Sequence, residues 1–374
     1  MANEICAVLD PLTDRGQNKG APGGEVAKTG IQTFIGIDLH KDSLTWCARN
    51  SFGEELGVGR ISTKCRNTIV RFINDWPKPV SVAFEAVGFY RWLWLLLEPH
   101  VDFLFLGDAG RLRYMAEKNV KTDFRDARHI SRVLWRGDMP VSFVVGEPLY
   151  SLRQRLRHRH DLSRRAARTK SSMKRISLRA NLPGPASING ARAVAYFDAF
   201  GDRLHFMDRE RWLDLTDQLL LLERQIPRVE RDLSLQIESL PAINEAISRL
   251  STAPGVALLT AATVLVETGG LSRFDNPEQL ACYSGLTTRT FQSADCVRHG
   301  HVSKAGPPNL RWVLQQAAWC AIRNDDYVRK IYNRIARKAG PKKAATAIAR
   351  KLLIWLWAMH THKTNWRQFI NKTS

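Results

Sequence analysis

FIGIDLHKDSLTWCA, residues 34–48, decides how the N-terminal half is read. FIGIDL (34–39) and SLTWCA (43–48) are short apolar runs rich in β-branched and aromatic residues, and the polar HKD between them predicts an initial hairpin. Two further runs, VSVAFEA (80–86) and VDFLFLG (101–107), have the same character. Between and after them, residues 67–76, 90–97 and 123–135 carry helical periodicity. Strands alternating with helices after a hairpin predict an α/β domain with a mixed sheet, ending near residue 145.

Composition bounds the rest. A chain of 374 residues, 44% hydrophobic, can bury two or three cores, so a multidomain globular protein is expected. Lys and Arg outnumber Asp and Glu by 56 to 36, a net charge of +20, which points to a polyanionic partner. Eleven Trp and fifteen Phe indicate folded cores, not a basic tail. Cys6, Cys47, Cys65, Cys282, Cys296 and Cys320 form no CxxC pair, which argues against a zinc ribbon or disulfide framework and for a reducing cytosol. The apolar stretches near residues 92–97 and 352–359 are far short of a membrane span, and no signal peptide is recognisable, so the reading is a protein of the cytoplasm with no membrane partner.

Four regions follow. Residues 1–32 are Gly-rich and read as a disordered leader; 33–145 form the α/β domain. Residues 146–250 read as two helical arms. The first holds 11 Lys or Arg between residues 153 and 179 against the single acid Asp161. The second repeats Trp212, Leu215, Leu219, Leu222, Ile226, Val229 and Leu233 at 3,4 spacing, a coiled-coil seam that Pro227 kinks without ending. Residues 251–374 read as a mostly helical domain with a basic, Gly-containing loop over 287–308. Trp312, Trp319, Trp355 and Trp357 stand at helical spacing and are expected in its core.

Asp38 ends the first strand, Glu85 ends a later one, and Asp123 and Asp126 stand three apart at a helix start. Strand ends gather at one sheet edge and residues i and i+3 share a helix face, so the four acids can converge. Oxygen ligands in that number suit Mg²⁺ or Mn²⁺. The alternative is local: a turn aspartate after a strand, or Asp123 capping its helix.

GIDLHKDS (36–43), EAVGFY (85–90) and KTDFRDAR (121–128) resemble the bridge-RNA-guided insertion-sequence recombinases with a DEDD tetrad, a family that also includes pilin-gene invertases. The resemblance implies a ribonuclease-H-like, RuvC-like N-terminal domain with Asp38, Glu85, Asp123 and Asp126 as metal ligands. It continues through APGVALLTAATVLVETG, LSRFDNPEQLACYSGL and RHGHVSKAGPPNLRWVLQQAAW, placing Ser303 where the family carries its nucleophile. The sequence departs from the family pattern at Ala305 and Pro307, and Ala257 replaces the second glycine of a helix-hairpin-helix-like turn.

The family likeness further implies double-stranded donor and target DNA, a structured guide RNA, and dimers assembling into a tetramer. Candidate nucleic-acid contacts are Arg153, Arg157, Arg164, Arg165, Arg168, Lys170, Lys174 and Arg175 on the basic arm, with Arg298, Lys304 and Arg311 around the serine. Residues alone leave two other readings open: a metal-dependent nuclease in which Ser303 is structural, for example a helix cap, and a noncatalytic nucleic-acid-binding protein.

Overall fold

The computed structural model describes residues 30–116, 122–185, 187–293 and 296–373. The chain divides into two compact units, Gly16–Gly146 and, as the body of the other, Glu147–Ser374. The leader expected over residues 1–32 lies almost wholly outside the described residues. Within its last three, Ile31 is already buried and the Gln32 amide donates to the Pro79 carbonyl.

Five strands build the sheet of the first unit: β1 (Thr33–Leu39), β2 (Ser43–Asn50), β3 (Glu55–Ser62), β4 (Val80–Glu85) and β5 (Phe103–Gly107), in the order β3-β2-β1-β4-β5. β2 pairs antiparallel with β1 and β3, whereas β1–β4 and β4–β5 are parallel. The hairpin and the mixed sheet match the sequence reading. β1 is buried along its whole length, as a central strand covered on both faces must be.

Alternate β1 residues go to opposite layers. Ile35, Ile37 and Leu39 join Val82, Phe84, Leu104 and Leu106 in a core with α1 (Arg66–Asn74) and α2 (Arg91–Leu97). Phe34 faces the other way, packing with Ala83, Phe105, Ile130 and Leu134 under a later helix, α4 (Asp123–Arg136). The polar, glycine-rich β3, exposed over much of its length, and the short α3 (Ala109–Met115) carry too little apolar periodicity to be read from sequence.

The second unit is mostly helical. The basic arm is α5 (Leu149–Arg179); α6 (Gly190–Phe200) and a 3₁₀ turn (Gly201–Arg203) precede α7 (Phe206–Glu238), which runs unbroken through Pro227. The apolar seam of α7 is filled from within the chain: Trp212, Leu219, Leu222 and Val229 pack with Leu162, Ala166, Met173 and Ile176 of α5 and with Ala193 and Tyr196 of α6. Next come α8 (Pro241–Leu250), α9 (Leu258–Thr268) and α10 (Pro277–Ser284), then a hairpin of β6 (Thr288–Ser293) and β7 (Cys296–Val302). That hairpin corrects the loop expected over 287–308. Its Thr, Phe, Val and His residues are strand-competent, although its glycine and charges resemble those of a loop.

Four helices end the chain: α11 (Pro308–Asn324), α12 (Asp326–Ala339), α13 (Pro341–Thr361) and α14 (Trp366–Thr373). Trp355 is buried and Trp357 donates to the Phe274 carbonyl at 3.2 Å, but Trp312 and Trp319 are 47% and 38% exposed. The last two are a correction to the expected core assignment. They stand seven apart on α11, on the face opposite Leu310, Val313, Leu314 and Ala317. Among the described residues, no helix is long and apolar enough to cross a membrane.

Candidate functional site: an acidic sheet edge and a serine turn

Backbone register brings the first two acids together. Ile37 of β1 pairs with Phe84 of β4 in parallel register, so Asp38 and Glu85, one residue further on, end neighbouring parallel strands. Both follow the alternation of Phe34 and Ala83 and therefore belong to the layer that α4 covers. Asp38 is 8% exposed.

α4 reaches that edge because β1 has no side chain at the crossing. A Cβ on Gly36 would lie 2.2 Å from the Ser131 amide nitrogen and 2.6 Å from the Ala127 carbonyl oxygen, so only glycine admits the helix at this height. The Arg49 guanidinium donates to Ser131 Oγ at 3.1 Å, and Arg128 grips Glu55 of β3 with three hydrogen bonds of 2.9–3.1 Å. With Ala127 and Ser131 fixed over Gly36, the preceding turn carries Asp123 and Asp126 toward Asp38. The cap of α4 is Thr122, whose hydroxyl accepts from the Arg125 amide, so Asp123 is free of the capping role weighed from sequence. Acids in a first helical turn also suit the positive end of the helix dipole.

Ligand atoms of Asp38, His40 and Asp123 all lie within 4.8 Å of one another. His40 Nε2 stands 3.0 Å from Asp38 Oδ2 and 3.4 Å from Asp123 Oδ1, while Arg60 reaches Asp123 at 2.5 Å. Glu85 and Asp126 fall outside that trio. Burial pushes the Asp38 carboxyl above its ordinary value; His40 pulls it down, and Asp126 and Asp123 push it up again. A desolvated carboxylate flanked by like charges calls for a cation, and hard oxygens with one imidazole fit a divalent metal. His40 and Arg60 were missed in the sequence reading. For His40 the signal was present: two residues past Asp38, it lies on the same side of the extended chain.

Ser303 occupies a turn between β7 and α11. Its amide donates to the Thr287 carbonyl at 2.8 Å, and the next amide, of Lys304 at φ +55°, donates to Gly285 at 3.1 Å. The turn lies directly on the end of α10: a Cβ on Gly306 would stand 1.8 Å from the Tyr283 carbonyl oxygen. Ser303 Oγ is shielded from solvent and has no hydrogen-bond partner. The N-cap of α11 is Pro307, with no side-chain cap, so Ser303 does not serve as one.

Beneath the turn lies a buried polar network. Glu267 of α9, 2% exposed, receives two hydrogen bonds from Arg157 at 2.9 and 2.7 Å and one from Asn309 at 3.4 Å. Its main-chain carbonyl accepts from Tyr283 at 2.8 Å. Burial raises the Glu267 carboxyl, but Arg157, with Arg153 and Asn309, leaves it below its ordinary value. Nearby, His160 is 4% exposed, its ring 5.4 Å from that of Trp312, and burial lowers its pKa to about 4.

The candidate nucleic-acid contacts therefore divide. Arg153 donates to the Val266 and Glu267 carbonyls and Arg157 to the Glu267 carboxylate, so both hold α5 to α9. Arg311 donates to the Ser284 carbonyl at 3.3 Å and to that of Gly306, bracing the serine turn. Arg165 pairs with Asp161 at 2.7 Å and Arg164 more distantly at 4.0 Å. Arg168, Lys174 and Arg175 are exposed, Lys170 is half-buried, and Lys304 is exposed beside the serine; the Arg298 side chain lies outside the described residues.

The first unit carries acids at the ends of parallel strands of a mixed sheet, and the second carries a serine turn. A family profile for the DEDD transposase of the IS110 type, described as Transposase, matches residues 35–179, and one described as Transposase IS116/IS110/IS902 family matches residues 247–333. Residues 35–179 and 247–333 of the chain thus match two domains of the IS110/IS116/IS902 transposases. It is 28% identical over 159 residues to a probable family 20 transposase of Pseudomonas aeruginosa, a match covering 41% of this chain and 46% of that relative, so it spans less than half of it. It is 24% identical over 336 residues to the transposase for insertion sequence element IS1328 of Yersinia enterocolitica, covering 89% of this chain and 98% of that one. Against the transposase for IS1111A of Coxiella burnetii the figures are 26% over 354 residues, 89% and 91%.

Proposed function

We propose that the chain cuts and rejoins DNA to move an insertion sequence, with Asp38, Glu85, Asp123 and Asp126 holding Mg²⁺ or Mn²⁺ and Ser303 as the nucleophile. The observation that carries this reading is the convergence of Asp38, Asp123 and the Asp126 charge at one sheet edge, on a helix seated over Gly36. The strand order β3-β2-β1-β4-β5 supports a ribonuclease-H-like, RuvC-like domain.

In the reaction, Ser303 Oγ attacks a phosphodiester phosphorus as it loses its proton. An Oγ–P bond forms, the P–O bond to one deoxyribose breaks, and that oxygen leaves as a protonated hydroxyl. The phosphoserine keeps the bond energy for attack by a second strand's hydroxyl, which restores the serine. A bound divalent ion would neutralise charge on the phosphoryl oxygens. Since Oγ is shielded, the serine side chain must turn toward solvent before it meets a phosphate. Family likeness supports a structured guide RNA pairing with donor and target DNA, dimers that form a tetramer, and a place on the bacterial nucleoid.

The buried hydroxyl favours a second reading, a metal-dependent nuclease or resolvase that uses water. Suicide DNA substrates, supplied with Mg²⁺ and the element's RNA, separate the two. Under the first reading the wild type yields a covalent protein–DNA adduct and Ser303→Ala abolishes both adduct and cleavage; cleavage that survives Ser303→Ala but not Asp38→Ala establishes the second.

A further inference from the structure

After Asp326 the chain has 48 residues with twelve Lys or Arg and no Asp or Glu, so about an eighth of the protein carries +12 of its net +20. α12 sets out the densest part of this charge. Val328 is buried and Ile331, Tyr332, Ile335 and Ala336 are half-buried, the face turned to α11 and α13. On the opposite face Lys330, Arg334, Arg337 and Lys338 are all exposed at helical spacing, with Asn333 between them. At 1.5 Å per residue, Lys330 to Lys338 spans about 12 Å. Gly340, at φ +82°, then turns the chain into α13, whose first turn adds exposed Lys342 and Lys343.

Among the described residues, none of these six cations has an acidic partner; the one ion pair of α12 joins Arg329 to Asp326. On α5, by contrast, Arg157, Arg159, Arg165 and Arg179 pair with Glu267, Glu230, Asp161 and Asp208. Like charges four apart, such as Lys330 with Arg334, destabilise a helix, and lysines in the first turn of α13 oppose its dipole. An external anion relieves both costs. A membrane surface fits poorly, because the outer face of α12 presents no apolar stripe to insert.

We propose that the outer face of α12 and the start of α13 form a second phosphate-binding surface, distinct from α5, that holds the sugar-phosphate backbone of a nucleic-acid duplex. This rests on the reading of the chain as a DNA-processing enzyme. The contacts are to phosphate, so they position the duplex without reading its sequence.

The test is the full chain carrying Lys330→Gln, Arg334→Gln, Arg337→Gln and Lys338→Gln, with circular dichroism confirming that helix content is kept, as glutamine allows. Binding to a duplex DNA of arbitrary sequence and to a structured RNA of equal length is titrated across salt concentrations. Four lost phosphate contacts flatten the slope of log K against log salt by about 3.6 on duplex DNA. A comparable flattening on DNA alone or RNA alone assigns the surface to that nucleic acid. Where the fold of the fourfold variant is lost, the Arg334→Gln, Lys338→Gln pair must flatten the slope by about 1.8. A folded variant with slopes equal to wild type on both probes overturns the inference while leaving the DNA-processing reading intact. Wild-type protein that binds neither probe overturns that reading as well.

Discussion

The acidic edge of the sheet and the serine turn hold their candidate groups by different means. At the edge, regular geometry does the placing: parallel register puts Asp38 beside Glu85, and one glycine lets a helix bring Asp123 and Asp126 over them. In the turn, irregular backbone lies on the end of another helix, fixed by Thr287, Gly285 and Arg311, near the buried Glu267 carboxylate and its half-exposed partner Arg157. A site built on register tolerates change outside a few contacts. A site built on a turn depends on everything that holds the turn.

The largest effect follows at the Arg157–Glu267 pair. Arg157 is 44% exposed in its side chain whereas Glu267 is 2% exposed, so removing the arginine strands a buried carboxylate, which costs about 3 kcal/mol. Arg157→Ala should lower the denaturant midpoint of the C-terminal unit accordingly, with hydrogen exchange in β1 and β4 unchanged. Equal loss of protection in both units would break the comparison. On the other side, Gly36→Ala forces a methyl into the α4 backbone and should cost about 3 kcal/mol. Hydrogen exchange should accelerate in α4 and the sheet while α9 to α11 stay protected; a wild-type midpoint would show that α4 can ride higher without harm.

Acid should act on the two regions with opposite sign. His160 has a folded pKa of about 4, below the ordinary imidazole value, because burial disfavours its charge. The unfolded chain therefore binds more protons between about pH 6.5 and 4, and the C-terminal unit loses stability as pH falls through that window, by about 3 kcal/mol at most. Asp38 is raised by burial, so its charged form burdens the folded state, and protonation as pH falls relieves it. Hydrogen exchange at pH 7 and pH 4.5 should show weaker protection around His160 and Trp312, and His160→Gln should flatten that response. The opposite trend at α5 would refute the assignment.

How much of this was legible follows the same division. β1, β2, β4, β5 and α4 declare themselves through apolar runs and periodicity, and with them the acids at their ends. β3 does not, because half-exposed GVGR carries no apolar alternation; its partners Glu55 and Arg60 became visible only when α4 was in place. Ser303 is a candidate by family likeness alone, since its setting depends on carbonyls of residues 283–287 that no local pattern announces. Charge alone does not separate two settings: Arg153, Arg157 and Arg311 hydrogen-bond within the fold, while the uncompensated cations of α12 sit on the outer face of an ordinary amphipathic helix.

The smallest effect is the most informative about the edge. Thr122 caps α4 by accepting from the Arg125 amide, immediately before Asp123. Losing such a cap costs about 1 kcal/mol, too little to unfold a unit whose α4 remains pinned by Arg49 and Arg128. Thr122→Ala should therefore fray only the first turn, the turn that carries Asp123 and Asp126. Mn²⁺ affinity, measured by calorimetry on the full chain, should fall several-fold, while Thr122→Ser, which keeps the hydroxyl, restores it. If Thr122→Ala bound Mn²⁺ like the wild type, the seat over Gly36 would suffice to place both aspartates, and the edge would be still less dependent on local detail than the serine turn.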